Sequence, residues 1–162
     1  MKKIFFVLIF IFTNSLLLAA GSDSSDSGPS KVSLYEDAVK LVKRASKLEQ
    51  KEKNDKAKKL YSRAFKTLNK AYKADKNNPD ILNYMGFTSR KIGNFEVAEK
   101  YYLEGLKINP NHNGINEYLG ELYVQTNRIE KAKERLDVLK NCNCEEFKDL
   151  DLIIKTKGVK FY

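Results

Sequence analysis

Residues 79–112 read PDILNYMGFTSRKIGNFEVAEKYYLEGLKINPNH, and residues 113–141 restart the pattern as NGINEYLGELYVQTNRIEKAKERLDVLKN. Gly86 and Gly120 stand 34 residues apart, each after an aromatic–apolar pair, Tyr84-Met85 or Tyr118-Leu119. Each precedes an alanine by 12 residues, Ala98 or Ala132. Asn94-Phe95 and Arg128-Ile129 open the second half of each unit. Self-similarity at this period marks stacked helical hairpins, because one hairpin cannot bury its apolar face alone and a neighbour must cover it.

Outward from these units the same chemistry continues. Apolar residues recur at three- and four-residue steps, as in Leu34, Ala38, Leu41, Ala45, Leu48 and again in Ala57, Tyr61, Ala64, Leu68, Ala71. Such spacing paints one stripe on a helix and predicts no strand. The stripes predict seven helices near 34–53, 55–76, 79–92, 95–108, 113–126, 129–141 and 145–156. Asn77-Asn78-Pro79-Asp80 and Asn109-Pro110-Asn111 separate consecutive helices. Gly93 suits a left-handed helix end, and Asn94 can cap the fourth helix. Gly86 and Gly120 are expected where each hairpin's two helices cross, facing Ala98 and Ala132. Phe95, Tyr102, Leu119 and Ile129 are expected to fill the remaining volume.

These residues resemble a tetratricopeptide (TPR) repeat. The unit 79–112 supplies Leu82, Met85, Gly86, Ala98, Tyr102, Gly105 and Pro110 at that pattern's positions. The next supplies Leu119, Gly120, Tyr123, Ala132 and Leu136, with Asn116 where a large apolar residue is usual. A third unit lies upstream, where Ala45 precedes Ala57 by 12 residues and Ala57 precedes Ala98 by 41. The excess over 34 is seven residues, two helical turns, so the packing face stays in register. The reading is an all-α, TPR-like solenoid of three hairpins, at about 34–76, 79–108 and 113–141, within a domain spanning 33–162. Such arrays need about three units and a polar cap. A helix over 145–156 serves as the cap, with Leu150, Ile153 and Ile154 turned inward.

The first residues carry a different message. Lys2-Lys3, an apolar run from Ile4 to Phe12, and Ala19-Ala20-Gly21 give the order of an export signal, predicted over 1–21. Its rival is an uncleaved anchor over 4–20, whose 17 residues reach the short edge of the ~17–25 that span hydrocarbon. Residues 22–32 form a polar linker rich in serine and aspartate. Cleavage would remove two lysines and no acid, taking the net charge from +9 to +7. Positive and negative charges alternate along the helices, the pattern of solvated faces and not of a nucleic-acid surface.

Enzymatic constellations are thin. The one histidine, His112, sits between two hairpins, and no glycine loop can cradle phosphate. No cofactor and no metal is expected. Cys142-Asn143-Cys144 reads first as a structural disulfide, then as reactive thiols, and last as a soft-metal ligand pair.

The TPR resemblance implies that the first helix of each hairpin lines a concave surface holding a peptide or partner domain. The positions implied are Asn83, Phe87, Arg90, Lys91, Glu117, Glu121 and Gln125, with Asp80 and Val124 beside them. A clamp for a C-terminal carboxylate is not implied, because Asn83, Phe87, Glu117 and Glu121 occupy its places. Reversing the charges of Glu117 and Glu121 is expected to leave the domain folded. The functional expectation is a non-catalytic protein-binding module of the bacterial envelope, periplasmic or secreted, or anchored in the inner membrane if the leader stays. Its partner is a protein or peptide of that envelope and not nucleic acid, with membrane contact only through an uncut leader. The alternative is a thiol-active or metal-handling accessory in envelope biogenesis that uses Cys142 and Cys144.

Overall fold

The computed structural model describes residues 31–157. The leader over 1–21 and the linker as far as Ser30 lie outside the described residues. Seven helices follow in order: α1 (Lys31–Glu49), α2 (Asn54–Ala74), α3 (Pro79–Lys91), α4 (Phe95–Ile108), α5 (Asn113–Gln125), α6 (Ile129–Leu139) and α7 (Glu145–Lys155). They pack as three antiparallel hairpins, α1 with α2, α3 with α4 and α5 with α6, closed by α7. This is an all-α, TPR-like solenoid. The first hairpin is the longest, with 19 and 21 residues in its helices against 13 and 14 in the second.

One turn is used three times. At Glu52, Gly93 and Asn127 the backbone is left-handed, with φ of 56°, 93° and 57°. The next residue's N–H then reaches back five positions: Lys53 to Leu48 O, Asn94 to Ser89 O and Arg128 to Tyr123 O, at 2.9, 2.9 and 2.7 Å. This satisfies carbonyls that a helix end leaves open and reverses the chain. The three residues are spaced by 41 and 34, the intervals of Ala57, Ala98 and Ala132. The two added turns of helix therefore leave hairpin geometry unchanged. They also end α1 at Glu49, short of the expected 53.

Between hairpins the breakers act as caps. Asn78 Oδ1 accepts from the N–H of Asp80 and Ile81 at 3.0 and 3.3 Å, with Pro79 starting α3. His112 Nδ1 does the same for Ile115 at 3.2 Å. Its Nε2 therefore carries the proton, facing Asp80 Oδ1 at 3.2 Å. The Asn94 side chain makes no such bond at α4.

Gly86 packs as expected: a Cβ there would lie 2.6 Å from Cδ1 of the fully buried Tyr102 on α4. Gly120 does not face its own hairpin partner. A Cβ there would meet Leu150 Cδ1 on α7, at 2.6 Å. The cause lies one repeat away from each neighbour. Leu136 replaces the Tyr102 ring and is too short to fill the gap, so Leu150 enters from the cap. The residue matching Leu150 beside Gly86 is Asn116, which is occupied elsewhere. Its Nδ2 donates to Pro110 O and His112 O at 3.0 and 3.1 Å. Phe95, expected in the interior, is 39% exposed, whereas Tyr102 and Leu119 are fully buried.

The interior is a succession of apolar clusters. One joins Val42, Ala45, Ala57, Tyr61 and Ala64, and the next joins Ala38, Leu68, Ala71, Ile81 and Met85. The last runs from Ala98 and Tyr102 through Leu119 to Ile153 of the cap. Cys142 and Cys144 are bonded to each other in the turn before α7.

Candidate functional site

Helix spacing decides which surface is concave. The backbones of α1, α3, α5 and α7 approach one another in sequence, while those of α2, α4 and α6 stay apart. Long side chains bridge the outer row: the Tyr72 hydroxyl donates to Glu104, and Arg128 Nη1 donates to Glu99 at 2.8 Å. The inner row is therefore α1, α3 and α5, with α7 at its end.

On that inner row a cavity of about 360 Å³ opens between α1, α3 and α5. Tyr84 and Phe87 of α3 and Tyr118 of α5 form its floor. The Phe87 and Tyr118 ring centroids are 5.0 Å apart, and Tyr61 and Tyr35 meet Phe87 and Tyr84 edge-on at 5.9 and 5.7 Å. Val42 and Ser46 line the α1 wall, and Lys43, Lys47 and Gln50 stand exposed along it.

Behind the floor lie buried charges. The Arg90 guanidinium carbon sits 5.6 Å from the Phe87 centroid and 5.7 Å from that of Tyr118. Its Nη2 is 2.6 Å from Glu121 Oε2, with side chains 5% and 7% exposed. Its Nη1 donates to Gln125 Oε1 at 3.2 Å. Burial opposes the Arg90 charge, but Tyr102 and Glu121 outweigh it and leave the pKa above its ordinary value. Burial, then Glu117 and Glu121, push the Tyr118 phenol up. Lys91 Nζ lies 2.6 Å from Glu49 Oε1, and Glu49 also accepts from the Tyr61 hydroxyl at 2.9 Å. These rings are thus fixed from beneath by cations that already have carboxylate partners.

Of the seven positions implied by resemblance, Phe87 lines the cavity. Arg90, Glu121 and Gln125 meet one another between α3 and α5, and Lys91 reaches across to α1. Asn83 and Glu117 are buried on the same faces. With Glu117 and Glu121 each only 5% exposed, reversing their charges would attack the core, contrary to the expectation that the domain stays folded. The aromatic partners Tyr84 and Tyr118 and the whole α1 wall were missed. A signal for them existed, because subtracting 41 from Asn83, Tyr84, Phe87 and Lys91 gives Val42, Lys43, Ser46 and Gln50.

A larger hollow of about 490 Å³ runs along α4 alone, between Glu96, Glu99, Lys100, Leu103, Glu104 and Lys107. It offers one outer helix face, charges of both signs and no aromatic floor. The inner cavity is the better-built site. No group of three or more His, Cys, Asp or Glu side chains placed to hold a metal occurs among the described residues.

Comparison with known proteins agrees with the architecture. Residues 79–112 match the sequence profile of the tetratricopeptide repeat. The human protein O-mannosyl-transferase TMTC3 is 34% identical over 64 residues, which are 40% of this chain and 7% of that protein. The fold is similar to the type III secretion translocator chaperone SycD of Yersinia enterocolitica, at a TM-score of 0.56 and 16% identity, over 79% of this chain and 85% of that one. It is also similar to SycD in complex with a peptide of the translocator YopD, at 0.53 and 18%, over 76% and 90%. At these identities the likeness concerns the fold.

The expected periplasmic or secreted location, and its inner-membrane alternative, are corrected by the same comparison. The solved structures sharing the fold are type III secretion chaperones, and no helix among the described residues is long and apolar enough to cross a membrane. The leader that motivated the expectation lies outside those residues.

Proposed function

We propose that this chain is a non-catalytic TPR scaffold that binds a peptide segment of a protein partner on its concave surface. The observation that carries the reading is the aromatic-floored cavity among α1, α3 and α5. Its rings are held by neighbours and by cations beneath, so little ordering is left to be done on binding. A site of this size with an apolar floor and a polar rim has the character of a ligand pocket. The solved SycD complex supports the reading by analogy, since that chaperone shares the fold and holds a peptide. Phe87 is the central contact, with Tyr84 and Tyr118 beside it.

The test is binding of fluorescein-labelled peptides, chosen from a random twelve-residue library, to the full chain and two variants. Phe87→Ala should weaken binding about tenfold or more, as truncating a central aromatic anchor does. Leu103→Ala, on the outer face of α4, should leave it unchanged. Equal binding by Phe87→Ala and the parent chain would remove this site.

A further inference from the structure

We infer that the cavity selects an extended peptide segment bearing one large apolar side chain beside two acidic residues set two positions apart. This rests on the peptide-binding reading above and narrows it to one ligand chemistry.

The floor takes the apolar side chain. Tyr84, Phe87 and Tyr118 are half-buried rings opening onto about 360 Å³, and no carboxylate lines the space. The charges behind the floor are neutralised internally, Arg90 by Glu121 and Lys91 by Glu49. Uncompensated charge stands only at the mouth. Lys43 and Lys47 are exposed and make no ion pair among the described residues. Elsewhere the helices set carboxylates one turn from their lysines, as in Lys133 with Glu130, Lys148 with Glu145 and Lys155 with Asp151.

The α1 sequence departs from that habit. Three and four residues from Lys43 and Lys47 stand Val39, Lys40, Arg44, Ser46, Gln50 and Lys51, and the two lysines are also four apart. Like charges at that spacing destabilise a helix by roughly 0.2–0.5 kcal/mol. An anion seated between them removes the repulsion and gains two partners.

Spacing then sets the pattern of the ligand. Four residues of helix rise about 6 Å. Two residues of extended chain advance about 6.5 Å, with both side chains on one face. Acidic residues at alternate positions therefore match Lys43 and Lys47, while the neighbouring apolar side chain drops onto Phe87.

The experiment selects a phage-displayed library of random twelve-residue peptides on the full chain. The best binder is then titrated by fluorescence anisotropy at several salt concentrations. Enrichment of Asp or Glu two apart beside Phe, Leu or Met is expected. Lys43→Ala with Lys47→Ala should weaken the best peptide about tenfold and flatten its salt dependence, consistent with two exposed ion pairs. Both lysines face solvent, and circular dichroism of the variant should match that of the parent. Selection of apolar peptides without acids, or affinity unchanged in the lysine variant yet lost in Phe87→Ala, overturns this inference and leaves the groove standing. No enrichment at all, or full binding by Phe87→Ala, overturns the groove reading and this inference together.

Discussion

Arg90 on α3 and Glu121 on α5 form a 2.6 Å ion pair almost wholly removed from water, tying the inner helices of consecutive hairpins. A buried pair of this kind is worth little against an apolar replacement, but breaking one side strands a charge. Glu121→Gln should therefore destabilise the fold by about 3–5 kcal/mol. Arg90→Met combined with Glu121→Leu should cost less than either single change. Urea denaturation followed by circular dichroism measures all three, and a double variant as unstable as the sum of its parts would contradict the pairing.

The two repeat glycines should respond differently to a methyl group. Alanine is worth up to about 1 kcal/mol over glycine within a helix. At Gly86 the methyl meets the Tyr102 ring, fully buried and without room to move, and overpacking of that sort costs about 1–3 kcal/mol. At Gly120 it meets the end of a Leu side chain on the terminal helix. Gly86→Ala should lower the melting temperature, while Gly120→Ala should change it far less. A reversed order would mean that α7 is held more firmly than α4.

Glu52 occupies a left-handed turn position that Gly93 fills in the next hairpin. A side chain there costs roughly 1–2 kcal/mol, and nothing lies within 4 Å of a Cβ built on Gly93. Glu52→Gly should raise stability by up to about 1 kcal/mol, and Gly93→Ala should lower it by a similar amount. Thermal melts of the two variants should shift in opposite directions.

Alkali should unfold the protein through its phenols. Every tyrosine among the described residues has a pKa above the ordinary 10.0. Burial, then Asp80, lifts Tyr35 to about 12, and the hydrogen bond to Glu104, then burial, lifts Tyr72 to about 12. The folded state holds these protons more tightly, so their stabilisation is complete below pH 10 and falls as pH rises through the folded values. A tenfold tighter hold on one proton is worth about 1.4 kcal/mol, against a total stability of roughly 5–15 kcal/mol. Phenolate absorbance and loss of helical circular dichroism should therefore rise together above pH 10. Ionisation of all the phenols with helix intact would refute the burial of Tyr61, Tyr102 and Tyr118.

The architecture was legible because it is written in small residues at fixed intervals. Gly86, Gly120, Ala98 and Ala132 announce close helix contact, and the 41-residue interval carries the first hairpin into the same frame. Polar residues carried less information. Arg90 and Glu121 fall at helical spacings that read as solvent-facing, and their burial appears only once α3 lies against α5. Asn116 breaks the apolar pattern, yet it is fully buried because it serves the carbonyls of Pro110 and His112. The cavity escaped for a related reason. Its α1 wall belongs to the hairpin with the weakest glycine signature, Ala45 standing where the others have Gly86 and Gly120.

The succession of apolar clusters has a mechanical consequence. Damage at one end need not travel to the other, since no single oily centre is shared by all seven helices. Melting should begin at the cap, where α7 rests on only two neighbours, and creep inward one hairpin at a time. The α1 and α3 walls of the pocket sit toward the opposite end, where they would be the last to loosen.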